Sequence, residues 1–83
     1  MKASVAFVNP RNGFLAAKVE SGDYVVIEIL GGYDIEIGDH LQGDFRNLGG
    51  ATILNETQRE KMDVFIQDFD CSVSRAKNLV YLN

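Results

Sequence analysis

Residues 3–30 read ASVAFVNPRNGFLAAKVESGDYVVIEIL. Three β-rich runs, Ala3 to Val8, Phe14 to Val19 and Tyr24 to Leu30, are separated by turn residues and are too short for stable isolated helices. Pro10 presets one backbone angle, Asn12-Gly13 tolerates positive φ, and Ser21-Gly22 makes a short glycine turn. The three runs are therefore expected to form a meander. On the third, Val25, Ile27 and Ile29 fall on one side and Tyr24, Val26 and Glu28 on the other, so the first set is the expected core face. Working outward, Leu41 to Phe45 and Ala51 to Leu54 also have strand length, and Gly31-Gly32, Gly38, Gly43 and Gly49-Gly50 punctuate the chain. Strands packed this closely predict a small antiparallel β-barrel.

Two readings compete for Thr57 to Asp70. Thr57-Gln58-Arg59-Glu60 has capping-box spacing, and Met62, Phe65, Ile66 and Phe69 follow at helical intervals. Asp63-Val64-Phe65-Ile66-Gln67 is instead a β-prone run, and Gln58 to Lys61 then form the loop of a further hairpin. The strand is favoured. Val64 and Ile66 on one face and Phe65 and Phe69 on the other are all apolar, so a cover is needed, and the C-terminus is the candidate. Ser72 reads as an N-cap, with Val73, Ala76, Leu79 and Val80 as one apolar stripe on a helix over about residues 72–82. The barrel is expected over about 3–69, in one domain spanning 1–83.

An 83-residue chain with 46% apolar content has room for one core, and its single cysteine, Cys71, gives no cross-link. Cys71 reads as a small buried hydrophobe, and a lone thiol suits a reducing compartment. Met1 to Val8 are too short an apolar run to span a bilayer, and no signal-peptide pattern is present, so a cytoplasmic protein is expected. The net charge of −4 argues against a general polyanion binder. Residues 1–19 hold Lys2, Arg11 and Lys18 and no acid, whereas residues 20–44 hold seven acids and no Lys or Arg. Solubility and edge protection account for such asymmetry; a complementary surface for an anionic or a basic partner is the sharper reading.

The stretch Val5 to Phe14, with Phe7, Asn9, Gly13 and Phe14, resembles the opening of a cold-shock domain, and Ile37-Gly38-Asp39-His40-Leu41 and Gly49 to Asn55 are similar to that family's fourth and fifth strands. The resemblance covers about the first 57 residues. It implies an OB-like barrel that binds single-stranded RNA or DNA by stacking bases on aromatics beside a basic groove. Phe7 and Phe14 match two aromatic positions, while Val8, Ala16 and Asn12 depart from the pattern, and Tyr24-Val25-Val26-Ile27 replaces the third-strand motif. The fold class is accordingly mainly β, an OB-like or SH3-like antiparallel barrel of five to six strands with a short C-terminal α-helix. The nucleic-acid-binding residues implied are Phe7, Arg11, Phe14 and Lys18, with Tyr24 and Arg46 as neighbours.

Catalytic chemistry is poorly supplied. His40 has no second histidine or nearby cysteine for a zinc site and reads as an exposed strand-end residue. Asp34, Glu36 and Asp39 cluster, but Ile35 and Ile37 alternate with them as on a half-buried strand, and no calcium-loop, phosphate-loop or nucleophile-elbow pattern occurs. No catalytic residue, metal or cofactor is assigned. The leading reading is a non-enzymatic interaction module for another protein or for itself; the alternative is single-stranded nucleic-acid binding. A small metal-binding or catalytic subunit would require a pocket joining Asp39, His40 and a second acid.

Overall fold

A computed structural model describes residues 1–82. It contains β1 (Lys2–Asn9), β2 (Phe14–Val19), β3 (Tyr24–Ile29), β4 (His40–Gln42), β5 (Gly49–Asn55), β6 (Glu60–Cys71) and α1 (Val73–Tyr81). The strands close into an antiparallel barrel in the order β1-β2-β3-β6-β5-β4. β1 to β3 are the expected meander. Asn9 O accepts from Gly13 N at 3.0 Å, Asn9 Oδ1 from Arg11 N at 3.1 Å and Asn12 Oδ1 from Phe14 N at 2.9 Å. Gly13 takes the positive φ of 74° that closes this turn.

Thr57 to Asp70 resolves as turn followed by strand. Asn55 Oδ1 accepts from Gln58 N at 3.1 Å in the β5–β6 turn, and alternation then buries Met62, Val64 and Ile66. The helical spacing of Met62, Phe65, Ile66 and Phe69 is overridden because β6 pairs with both β3 and β5. Two expected strands differ. β4 is confined to His40–Gln42, and Phe45 is buried from the loop that follows. Gly43 lies in that region because a Cβ there would meet Ile53 Cγ2 at 2.6 Å. Residues 33–37 are not a strand. They form an irregular segment in which Tyr33 and Ile35 pack on the core and Ile37 is exposed.

The interior holds Val5, Leu15, Ala17, Val25, Ile27, Leu41, Phe45, Ile53, Met62, Val64 and Ile66. A second apolar cluster lies outside the sheet, where Ala16 and Val26 meet Ala76, Val80 and Cys71. The register of β1 shifts between Val5 and Phe7. The extra residue breaks the alternation, so Val5 faces the interior while Phe7 joins the outer cluster.

Ser72 Oγ caps α1 by accepting from Arg75 N at 3.2 Å. Asn9 Nδ2 and Asn12 Nδ2 both donate to Val80 O, at 3.0 and 3.1 Å, tying the helix C-terminus to the first turn. The helix differs from expectation in two respects. Ala76 and Val80 are buried, but Val73 points away and is 44% exposed. It packs on β1, β2 and β3, so the outer face of β6 keeps an exposed Phe65. Ala76 and Val80 find their apolar contacts on Ala16 of β2, Val26 of β3 and Cys71 at the end of β6, and Arg75 of the helix reaches Asp68 of β6.

Candidate functional site

Four of the six residues implicated by the sequence share one outer face. Phe14, Lys18 and Tyr24 alternate outward on β2 and β3, and the β1 register shift adds Phe7. The Phe7 and Tyr24 rings stack at 5.9 Å with an interplanar angle of 18°. Tyr81 meets Phe7 edge-on at 6.4 Å, and Lys77 Nζ lies 5.3 Å from the Phe7 centroid. Phe7 thus has both a tyrosine ring and a cation against it, and Phe14 packs in the same cluster beside the helix. Both rings are partly buried against that cluster. Arg11 is exposed in the β1–β2 turn.

Tyr24 and Arg46 contribute to a different feature, a cleft at one end of the barrel. It has a volume of about 360 Å³ and apolar walls from Val19, Tyr24, Val25, Phe45 and Phe69. Glu20, Ser21, Arg46 and Asp70 stand on its rim together with Met1. Its opening follows from β6. Opposite Tyr24 to Ile27, two register shifts give β6 extra residues, and Asp70 adopts a φ of 53°, a conformation non-glycine residues seldom take. Arg46 Nη2 pairs with Asp70 Oδ2 at 2.7 Å, joining the loop after β4 to the end of β6 across the mouth.

Adjoining the cleft, Ser4 is paired with His40 of β4 on one side and Lys18 of β2 on the other. Ser4 Oγ lies 3.4 Å from His40 Nδ1, and Lys2 Nζ is 3.4 Å from Glu56 Oε1. The acids of residues 20–44 do not form one face. Glu20 and Asp23 flank the β2–β3 turn, Glu28 accepts from Gln67 Nε2 at 2.8 Å, and Asp44 accepts from Arg46 N at 3.1 Å.

Asp39 and His40 do not share a pocket. Asp39 is buried and accepts from Asn55 Nδ2 at 2.9 Å, Glu36 N at 3.0 Å and Gln58 Nε2 at 3.2 Å. Burial pushes its carboxyl pKa up, but these hydrogen bonds and the neighbouring His40 outweigh that, and the net shift is downward. His40 is exposed at the strand start. Arg75 Nε, 2.7 Å from Asp68 Oδ2, lowers the Asp68 pKa against a smaller opposing effect of burial. Cys71 is buried, and burial, then the Asp68 charge, push its thiol up to about 11. Among the described residues no group of three His, Cys, Asp or Glu is placed to hold a metal ion, and no helix is long and apolar enough to cross a membrane.

The sequence pointed to Tyr24 and Arg46 but missed Phe45, Phe69, Val19 and Asp70 as cleft residues, and Lys77 and Tyr81 as partners of Phe7. Val19 and Val25 were within reach, because they are inward residues flanking one tight turn. Phe69 was not, since its inward position depends on register shifts that leave no mark in the composition of β6.

By architecture the chain is a closed six-strand antiparallel barrel with one C-terminal helix. Comparison with protein-family models, with curated proteins and with solved structures finds no match.

Proposed function

We propose that the protein is a non-catalytic interaction module that receives an apolar side chain of a protein partner in the cleft at the barrel mouth. The observation carrying this reading is the cleft itself, with three aromatic and two valine walls and a charged rim. Its volume falls at the small end of the range typical of ligand sites, about 300 to 1,000 Å³, which suits a single aromatic or branched anchor. Closure of the barrel supports recognition by side chains, because it leaves only partial strand edges, beside the short β4, on which a partner could add a strand.

Single-stranded nucleic acid is the second reading, favoured by Lys18, Tyr24, Phe7 and Lys77 standing side by side. The contacts Phe7 already makes with Tyr24 and Tyr81 weigh against it, as do Glu20 and Asp70 on the cleft rim. One experiment separates the two. Random peptides are selected on phage against the whole chain, and the winners and a short oligothymidylate are each titrated by amide chemical shifts. Peptides with a recurrent apolar anchor that move Val19, Ser21, Tyr24, Val25, Arg46 and Asp70 are expected. Shifts from the oligothymidylate centred on Phe7, Arg11, Phe14 and Lys18, with no peptide response at the cleft, would replace this function with the second.

A further inference from the structure

We infer that the partner segment carries a carboxylate one or two residues from its apolar anchor, and that Lys18, supported by Ser4 and His40, receives it. This rests on the cleft being the partner-binding face. A second, shallower depression is lined by Lys2, Ser4, Lys18 and His40 and shares Val19 and Glu20 with the cleft. The barrel register places these groups together, since Ser4 is the direct partner of both Lys18 and His40. Lys18 also faces Tyr24, a wall of the cleft, across the β2–β3 pair. Side chains so paired stand about 5 Å apart, and an extended peptide advances about 3.3 Å per residue. An anchor in the cleft therefore brings its neighbour or next neighbour over Lys18.

The charges select an anion. Arg46 is closed onto Asp70 and Lys2 lies against Glu56. Lys18 is exposed and makes no ion pair among the described residues, so its ammonium is the side-chain cation of this row left for a ligand. Ser4 Oγ and His40 Nδ1 bond to each other, so the pair adds one donor beside it, the Ser4 hydroxyl or the His40 Nε2–H according to the tautomer. Glu20 at the boundary repels a second acid placed deeper in the cleft, which confines the carboxylate to the Lys18 side.

The test uses synthetic versions of the phage-selected peptides, each made with its acidic residue or with glutamine in that place, and measures affinity for the whole chain by fluorescence anisotropy. The glutamine peptides are expected to bind about 3- to 5-fold more weakly, as an exposed ion pair allows. Lys18→Gln should remove that difference, Lys18→Arg should keep it, and raised salt should shrink it. Peptides that map to the cleft but bind equally with glutamine, or that lose equally on Lys18→Gln whether acidic or not, would overturn the carboxylate site while leaving the cleft in place. Absence of any selected peptide, or shifts away from the cleft, would overturn both. Displacement of the acidic peptides by oligothymidylate, with shifts along Lys18, Ser4 and His40, would assign the row to phosphates and overturn the peptide carboxylate.

Discussion

Removing the Asp39 carboxylate should cost the fold about 2 to 4 kcal/mol at neutral pH. In Asp39→Ala, the fully buried Asn55 amide loses its acceptor, and Glu36 N–H and Gln58 lose theirs nearer the surface. An unpaired buried polar group costs about 1 to 3 kcal/mol, and hydrogen bonds to a charged acceptor contribute about 1.5 to 3 each; the two outer donors recover part of theirs from water. For a domain of this size the loss corresponds to a drop in Tm of roughly 10 to 25 °C. The pH dependence has a fixed sign. The folded pKa of Asp39 lies below its ordinary value, so the carboxylate's stabilisation is complete above the ordinary aspartate pKa of about 3.9. It is lost as the pH falls through the folded value. Urea unfolding of both chains, followed by circular dichroism from neutral pH down to acid, measures the gap. The reasoning fails if Asp39→Ala stays within about 0.5 kcal/mol of the parent, the scatter of ordinary surface changes. It fails equally if the gap does not narrow on acidification.

Helix docking gives a paired prediction: Val80→Ala, at a fully buried site, should destabilise by about 2 kcal/mol, while Val73→Ala, at an exposed one, should change stability by less than about 0.5 kcal/mol. Equal losses in denaturant titrations would show that the stripe faces the sheet differently. Cys71, buried with its thiol pushed up to about 11, should resist iodoacetamide in the native protein at mildly alkaline pH and react only on unfolding, as mass spectrometry over time would record; prompt native labelling would contradict its burial. Arg59 holds a φ of 57° in the β5–β6 turn, so Arg59→Gly should gain about 0.5 kcal/mol, the relief of the left-handed conformation exceeding the entropy lost to glycine. A loss on Arg59→Gly would mean that the arginine side chain stabilises the turn.

The meander was legible because Asn12-Gly13 and Ser21-Gly22 fix two turns and Leu15, Val25 and Ile27 alternate cleanly beside them. Residues 60–71 were harder. Their apolar positions satisfy both periods, and only pairing with strands on either side, a long-range fact, decides between them. The register shift after Val5 was invisible, since Val5 and Phe7 read as one face in any unbroken strand; that shift puts Phe7 in the outer cluster. The placement of α1 on β1 to β3 depended on Ala16 and Val26 forming an apolar cluster with Ala76 and Val80, which no periodicity of the helix itself records. Tyr24 and Arg46 entered through a family likeness and stand together in the structure for another reason, the opening of the barrel mouth where β6 carries extra residues.

Disulfide tethering at the cleft rim tests the central claim most directly. Ser21 is exposed and lines the mouth, Ser74 is exposed on α1 and is not one of the lining residues, and native Cys71 is buried. Ser21→Cys and Ser74→Cys chains would each be equilibrated with a set of small thiol fragments under mild reductant and read by mass spectrometry. Aromatic and branched apolar fragments should be retained by Ser21→Cys about 10-fold more than by Ser74→Cys, the selectivity expected of about 1.4 kcal/mol of added contact. Capture that is equal at the two positions, or indifferent to whether the fragment is apolar, would contradict a binding cleft at the barrel mouth.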